Sequence, residues 1–67
     1  MTHKNIPAYE TFIDQLREVA AGKRGWVSIT VATRETGFDK EELCRAAVAL
    51  GLNVTRSHGR HGTTCHK

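Results

Sequence analysis

The chain has one proline, two cysteines and no long apolar run. Each scarcity closes off a class of protein. Two cysteines, Cys44 and Cys65, are too few to staple a small secreted domain, so both are read as reduced thiols. No apolar stretch approaches the ~20 residues that cross a bilayer, and MTHKNIPAYE lacks the apolar centre of a signal peptide. The expectation is a cytoplasmic protein with no membrane contact. Repeats, low-complexity tracts and linkers are missing as well, which leaves one domain over residues 1–67 with a short tail at residues 1–5. A chain of 67 residues buries only about 60% of the surface its unfolded form exposes, so its core is small and a deep multistep catalytic cleft does not fit.

Hydrophobic residues at 39% and charged residues at 25% are those of an ordinary folded globule, not of a disordered tail. The net charge is only +3, but its distribution is lopsided. Every acidic residue lies at or before Glu42, and beyond it come Arg45, Arg56, Arg60 and Lys67 with His58, His61 and His66. A polyanion suits such a segment, because arginine and lysine release counterions from phosphates. A modest positive surface also serves plain solubility.

The first element is an amphipathic helix from Ile6 or Pro7 to Ala21, with Tyr9, Phe12, Ile13, Leu16, Val19 and Ala20 at three- and four-residue spacings. Asn5 caps it, Pro7 fits its first turn, and Gly22 ends it. The stretch Trp26 to Thr33 is dense in β-branched residues and reads by propensity as a strand, with Val27, Ile29 and Val31 on one side. Ser28 as a cap and Gly37 as a stop point instead to a short strand at Trp26–Val27, then a helix to Thr36 with Ile29, Ala32 and Thr33 inward. Asp39 and Glu42 have the spacing of a reciprocal capping pair at the start of a third helix. That helix runs from Lys40 to Leu50 with Leu43, Ala46, Ala47 and Leu50 inward, and Gly51 closes it. Leu52, Val54 and the run Thr63 to His66 flank SHGRHG, the pattern of a β-hairpin turning at Gly59 and Gly62.

In order, this is a small α+β chain of three helices and a C-terminal hairpin. Thr33 stands four residues before the turn glycine Gly37, Phe38 follows it, Leu43 and Ala46 are apolar in the next helix, and LGLNVTRSHGRHGTT supplies strand, tip and strand. With these features the chain resembles a winged helix-turn-helix domain over nearly its whole length. The resemblance implies that helix 39–50 enters the major groove of double-stranded DNA and that hairpin 52–66 acts as a wing. Lys40, Glu41, Cys44, Arg45 and Val48 fall between the buried positions and face outward. Arg45 can donate two bonds to guanine, whereas Lys40 suits a phosphate. Glu41 and Glu42 oppose the backbone's charge. Arg56, His58, Arg60 and His61 belong to the wing, where arginine can enter a narrow minor groove. Lys23 and Arg24 add phosphate contacts from the first loop.

His58, His61, Cys65 and His66 also raise the question of zinc, since imidazole and thiolate are its ligands. Their spacing, H-x2-H-x3-C-H, is not a usual finger pattern, and strand alternation sends Cys65 and His66 to opposite faces. The alternative is hydrogen bonding within the wing. HGRHG is neither a phosphate-binding nor a dinucleotide fingerprint, so no cofactor is expected. Neither Cys44 nor Cys65 has a placed general base, so the chain is not expected to be an enzyme. Two functional classes remain. One is a small DNA-binding transcriptional regulator or accessory factor, gaining specificity as a homodimer. The other is a winged-helix module that binds a protein of the transcription machinery, as phage-type inhibitors do, through Trp26 or the acidic start of the third helix.

Overall fold

The computed structural model describes residues 4–57, 59 and 62–67. Three helices and three short strands follow in the order α1 (Ile6–Ala20), β1 (Trp26–Ser28), α2 (Ile29–Thr36), α3 (Lys40–Ala49), β2 (Asn53–Thr55) and β3 (Thr64–His66). The result is a small α+β fold with a three-stranded antiparallel sheet ordered β1-β3-β2. No helix of the described residues is long and apolar enough to cross a membrane.

α1 forms as its caps dictate. The Asn5 carboxamide oxygen accepts from the Ala8 amide at 3.0 Å, and the buried stripe is Phe12, Leu16 and Val19. Its start is also tied to the middle of the molecule. The Asn5 amide donates to the Thr36 carbonyl at 2.7 Å, while Tyr9 stacks on Phe38 with ring centroids 4.3 Å apart.

The competition over residues 26–33 resolves as a three-residue strand and then a helix. Burial of Ile29, Ala32 and Thr36 follows helical spacing, whereas a strand would have buried Val31, which is 44% exposed. Three backbone N–H groups at the start of α2 find acceptors. The Ser28 hydroxyl accepts from Val31 at 3.2 Å, and the Thr63 carbonyl accepts from Ile29 at 2.8 Å and Thr30 at 3.4 Å. These bonds satisfy donors that a helix start would otherwise orphan, which outweighs the few tenths of a kcal/mol per residue that β-branching costs. Thr36 takes the inward position expected for Thr33. Its hydroxyl donates to the Ala32 carbonyl at 2.7 Å and accepts from the Phe38 amide at 3.2 Å, so the buried oxygen is satisfied.

α3 departs from expectation at both ends. Asp39 is its N-cap residue but makes no side-chain cap bond. Asp39 and Glu42 are exposed, so water can satisfy the same amides and the reciprocal pair gains little; Glu41 and Glu42 still place negative charge at the positive end of the helix dipole. At the other end, Leu50 is 38% exposed and Leu52 is buried in its stead. The cause is Gly51, whose φ of 81° reverses the chain. Its amide donates to the Val48 carbonyl and that of Leu52 to Ala47, the double bond pattern of a Schellman motif, which folds the residue after the glycine back onto the helix.

The core joins every layer: Phe12, Leu16, Val19, Val27, Ile29, Ala32, Leu43, Ala47, Leu52 and Cys65. Val27, Cys65 and Val54 are in register across the sheet. The expected two-stranded hairpin is therefore widened by β1, which pairs with β3. Behind that pairing is a second link, in which the Thr63 amide donates to the Thr30 hydroxyl at 3.0 Å. Gly62 lies against the same threonine with φ of 65°, and a Cβ there would run into the Thr30 side chain.

Two glycine substitutions separate backbone strain from crowding. Gly51→Ala, with open space around it, should cost about 1–2 kcal/mol for the left-handed backbone alone. Gly62→Ala should cost more, with a thermal midpoint several degrees below that of Gly51→Ala. Equal melting temperatures would mean that the approach to Thr30 carries no energetic weight.

Candidate nucleic-acid interface

With Leu43 and Ala47 fixed inward by the core, the geometry of α3 turns a second face to solvent. Lys40, Glu41, Arg45 and Val48 are exposed on it and Cys44 is half-buried. The chain then reverses at Gly51 and runs through β2 to Arg56. This brings Arg56 beside α3, where it borders one open hollow of about 480 Å³ together with Lys40, Glu41, Cys44 and Arg45. Three cations and one carboxylate share that surface. None of the four charged groups has a hydrogen-bond or ion-pair partner among the described residues, where the ion pairs are Arg17–Asp14 and Arg24–Glu18. Glu41 and Arg45 stand one turn apart in the order that favours pairing, yet they are not joined.

Four of the residues expected at an interface, Lys40, Cys44, Arg45 and Arg56, are thus assembled in one place. Lys23 and Arg24 are not with them. Arg24 donates from Nε to Glu18 Oε1 at 3.0 Å and lines a different hollow; Lys23 is exposed in the turn after α1 and lines neither. An exposed pair such as Arg24–Glu18 is worth at most about 1 kcal/mol, so it holds the side chain only loosely. His58, Arg60 and His61 lie outside the described residues.

The second hollow, about 740 Å³, lies between α1, β1 and α2, with Phe12, Gln15, Trp26, Val31 and Glu35 along it. Trp26 is 45% exposed there. Its sequence signal was the lone tryptophan; the exposure of Val31 follows from the helical turn that the Ser28 cap imposes.

The two cysteines are unpaired and differ in setting. Cys65, on the central strand, is fully buried and its Sγ donates to the Val27 carbonyl at 3.6 Å. Burial pushes its thiol above the ordinary value, with the nearby Cys44 thiol acting in the same direction. His66, the next residue, points the other way; its Nε2 meets the Thr55 hydroxyl at 2.8 Å across the hairpin, with the donor set by the ring's tautomer. Cys65 and His66 therefore do not converge on a metal, and the other two residues of that reading, His58 and His61, are outside the described residues. Among the described residues no group of three metal-ligating side chains is found.

Comparison with protein-family models, with curated proteins and with solved structures gives no match to this chain.

The cysteine settings yield a direct check. A maleimide at neutral pH should modify Cys44 in the folded protein and reach Cys65 only after denaturant is added, as read by peptide mass spectrometry. The raised Cys65 thiol also fixes a sign: the folded state holds that proton more tightly than the unfolded chain. Its stabilisation is complete below the unfolded thiol value of about 8.5 and is lost as pH rises through and beyond it. Melting temperature should fall on that alkaline side, and Cys65→Ala should flatten the fall.

Proposed function

We propose that the chain is a winged helix-turn-helix DNA-binding protein, acting as a small transcriptional regulator or accessory factor. The observation that carries this is the convergence of Lys40 and Arg45 on α3 with Arg56 at the base of the hairpin, all three exposed and without an ion-pair partner among the described residues. The order α2, turn at Gly37, α3, then β2 and β3 supports it. So does the lack of any acidic residue after Glu42.

In this proposal α3 lies in the major groove, Arg45 donates two bonds to guanine O6 and N7, and Lys40 meets a phosphate. The hairpin follows the adjacent backbone, with Arg56 at its base. Phosphate neutralisation supplies most of the affinity and base contacts supply the discrimination. A second copy on an adjacent half-site would raise specificity beyond what one small module reaches. No catalytic step is part of this proposal.

A second reading is favoured by the hollow beside Trp26 and Val31. Two large apolar side chains half in solvent suit an interface with a protein of the transcription machinery. A fold of this kind serves either purpose.

Fluorescence anisotropy of a labelled mixed-sequence duplex, titrated at ~50 mM and ~200 mM salt, separates the two. Steep loss of affinity with salt is expected. Arg56→Ala should lower the salt slope by about one unit, and Arg45→Ala should weaken binding to a preferred site roughly tenfold. No binding at either salt would transfer the function to the Trp26 surface.

A further inference from the structure

The one carboxylate in the α3 hollow, Glu41, is costly for a phosphate-binding surface unless it meets a donor there. It is exposed, it stands among Lys40, Arg45 and Arg56, and it is bonded to none of them. Glu42 is also exposed, but it does not line the hollow. Whatever approaches α3 along that hollow therefore meets Glu41 as an exposed acceptor with no partner among the described residues, one helical turn (about 6 Å) from Arg45.

In the major groove the hydrogen-bond donors are the amino groups of cytosine N4 and adenine N6; guanine and thymine present the acceptors O6 and O4 to the same position. A carboxylate repels those acceptors. Adenine sets its acceptor N7 beside its amino group, which also opposes a carboxylate, whereas cytosine has no acceptor on its major-groove edge. Cytosine is the base from which the Glu41 side chain can accept without meeting an opposing acceptor.

Resting on the DNA reading above, we infer that Glu41 is a specificity-determining residue. It selects a cytosine within two base steps of the guanine that Arg45 contacts, largely by rejecting the other three bases. The 6 Å separation exceeds the ~3.4 Å rise of one base step and falls short of two, so Glu41 and Arg45 address different but closely spaced base pairs. The carboxylate's cost against the backbone is then the means of discrimination, since a repulsive element separates right from wrong sites more sharply than attraction alone.

The test is a selection from a random duplex pool, carried out with the full chain and with Glu41→Gln and Arg45→Ala. Both positions are exposed, and matched thermal melts confirm that the variants fold. The wild type should enrich sites with a cytosine within two base steps of a guanine. Glu41→Gln should keep the guanine and exchange the cytosine for adenine, because a carboxamide bonds adenine N6 and N7 together; the preference at that position should reverse by on the order of tenfold or more. Arg45→Ala should lose the guanine and keep the cytosine. If Glu41→Gln binds every sequence more tightly and selects an unchanged site, the inference is overturned while DNA binding stands. If the wild type retains no duplex at all, the DNA reading falls and this inference with it.

Discussion

The reciprocal contact between Thr30 and Thr63 is the constraint on which the rest of this structure depends. One residue of the returning hairpin gives its carbonyl to the first two amides of α2 and its own amide to the Thr30 hydroxyl. Two problems of a small domain are solved together: a helix start loses its orphan donors, and a strand gains an anchor. Because β1 continues directly into α2, the same contact aligns β1 with β3 and brings the Cys65 and Val27 side chains beneath the helices. Gly62 belongs to this arrangement, since no other residue approaches Thr30 so closely without displacing it.

The charged surface inherits its shape from that anchor. α3 is held by Leu43 and Ala47 against the core, and Gly51 sends the chain back along it. Arg56 thereby arrives beside a helix sixteen to eleven residues earlier in the chain, Lys40 to Arg45. Charge that looks spread along the sequence becomes local in space, and local cationic charge is what a phosphate backbone responds to. The acidic residues are not simply excluded. One of them is kept within the cluster.

Sequence reading went furthest where structure is decided within a turn of the chain. Asn5, Ser28 and the four glycines of positive φ announced element ends because caps and left-handed turns act over three or four residues. The outward face of α3 was legible by subtraction from its apolar stripe. It was less legible where distant partners decide. Residues 26–33 were ambiguous because the acceptor that favours the helix is Thr63, more than thirty positions on. The exchange of Leu50 for Leu52 in the core needed the Schellman reversal as well as the glycine that permits it. Asp39 stands at the N-cap without its side-chain bond, since spacing shows which bond is available and not whether water serves as well. The partner of Arg24, Glu18, was hidden by a helix end that folds the chain back toward it.

The strand order has a consequence for how the molecule comes into being. β3 is central in the sheet and the last element in the chain, and the register joins Val27 to Cys65. The caps of the three helices are mostly local, but the first amides of α2 wait for the Thr63 carbonyl. The sheet waits as well, for β1 and β2 lie on either side of the last strand. Closing so long a loop is slow compared with helix formation, and until it happens two strand edges stand open. Pairing of β3 with both neighbours is thus the step that closes the sheet beneath the three helices. The cationic surface that Arg56 forms with α3 therefore rests on a sheet closed by its last strand.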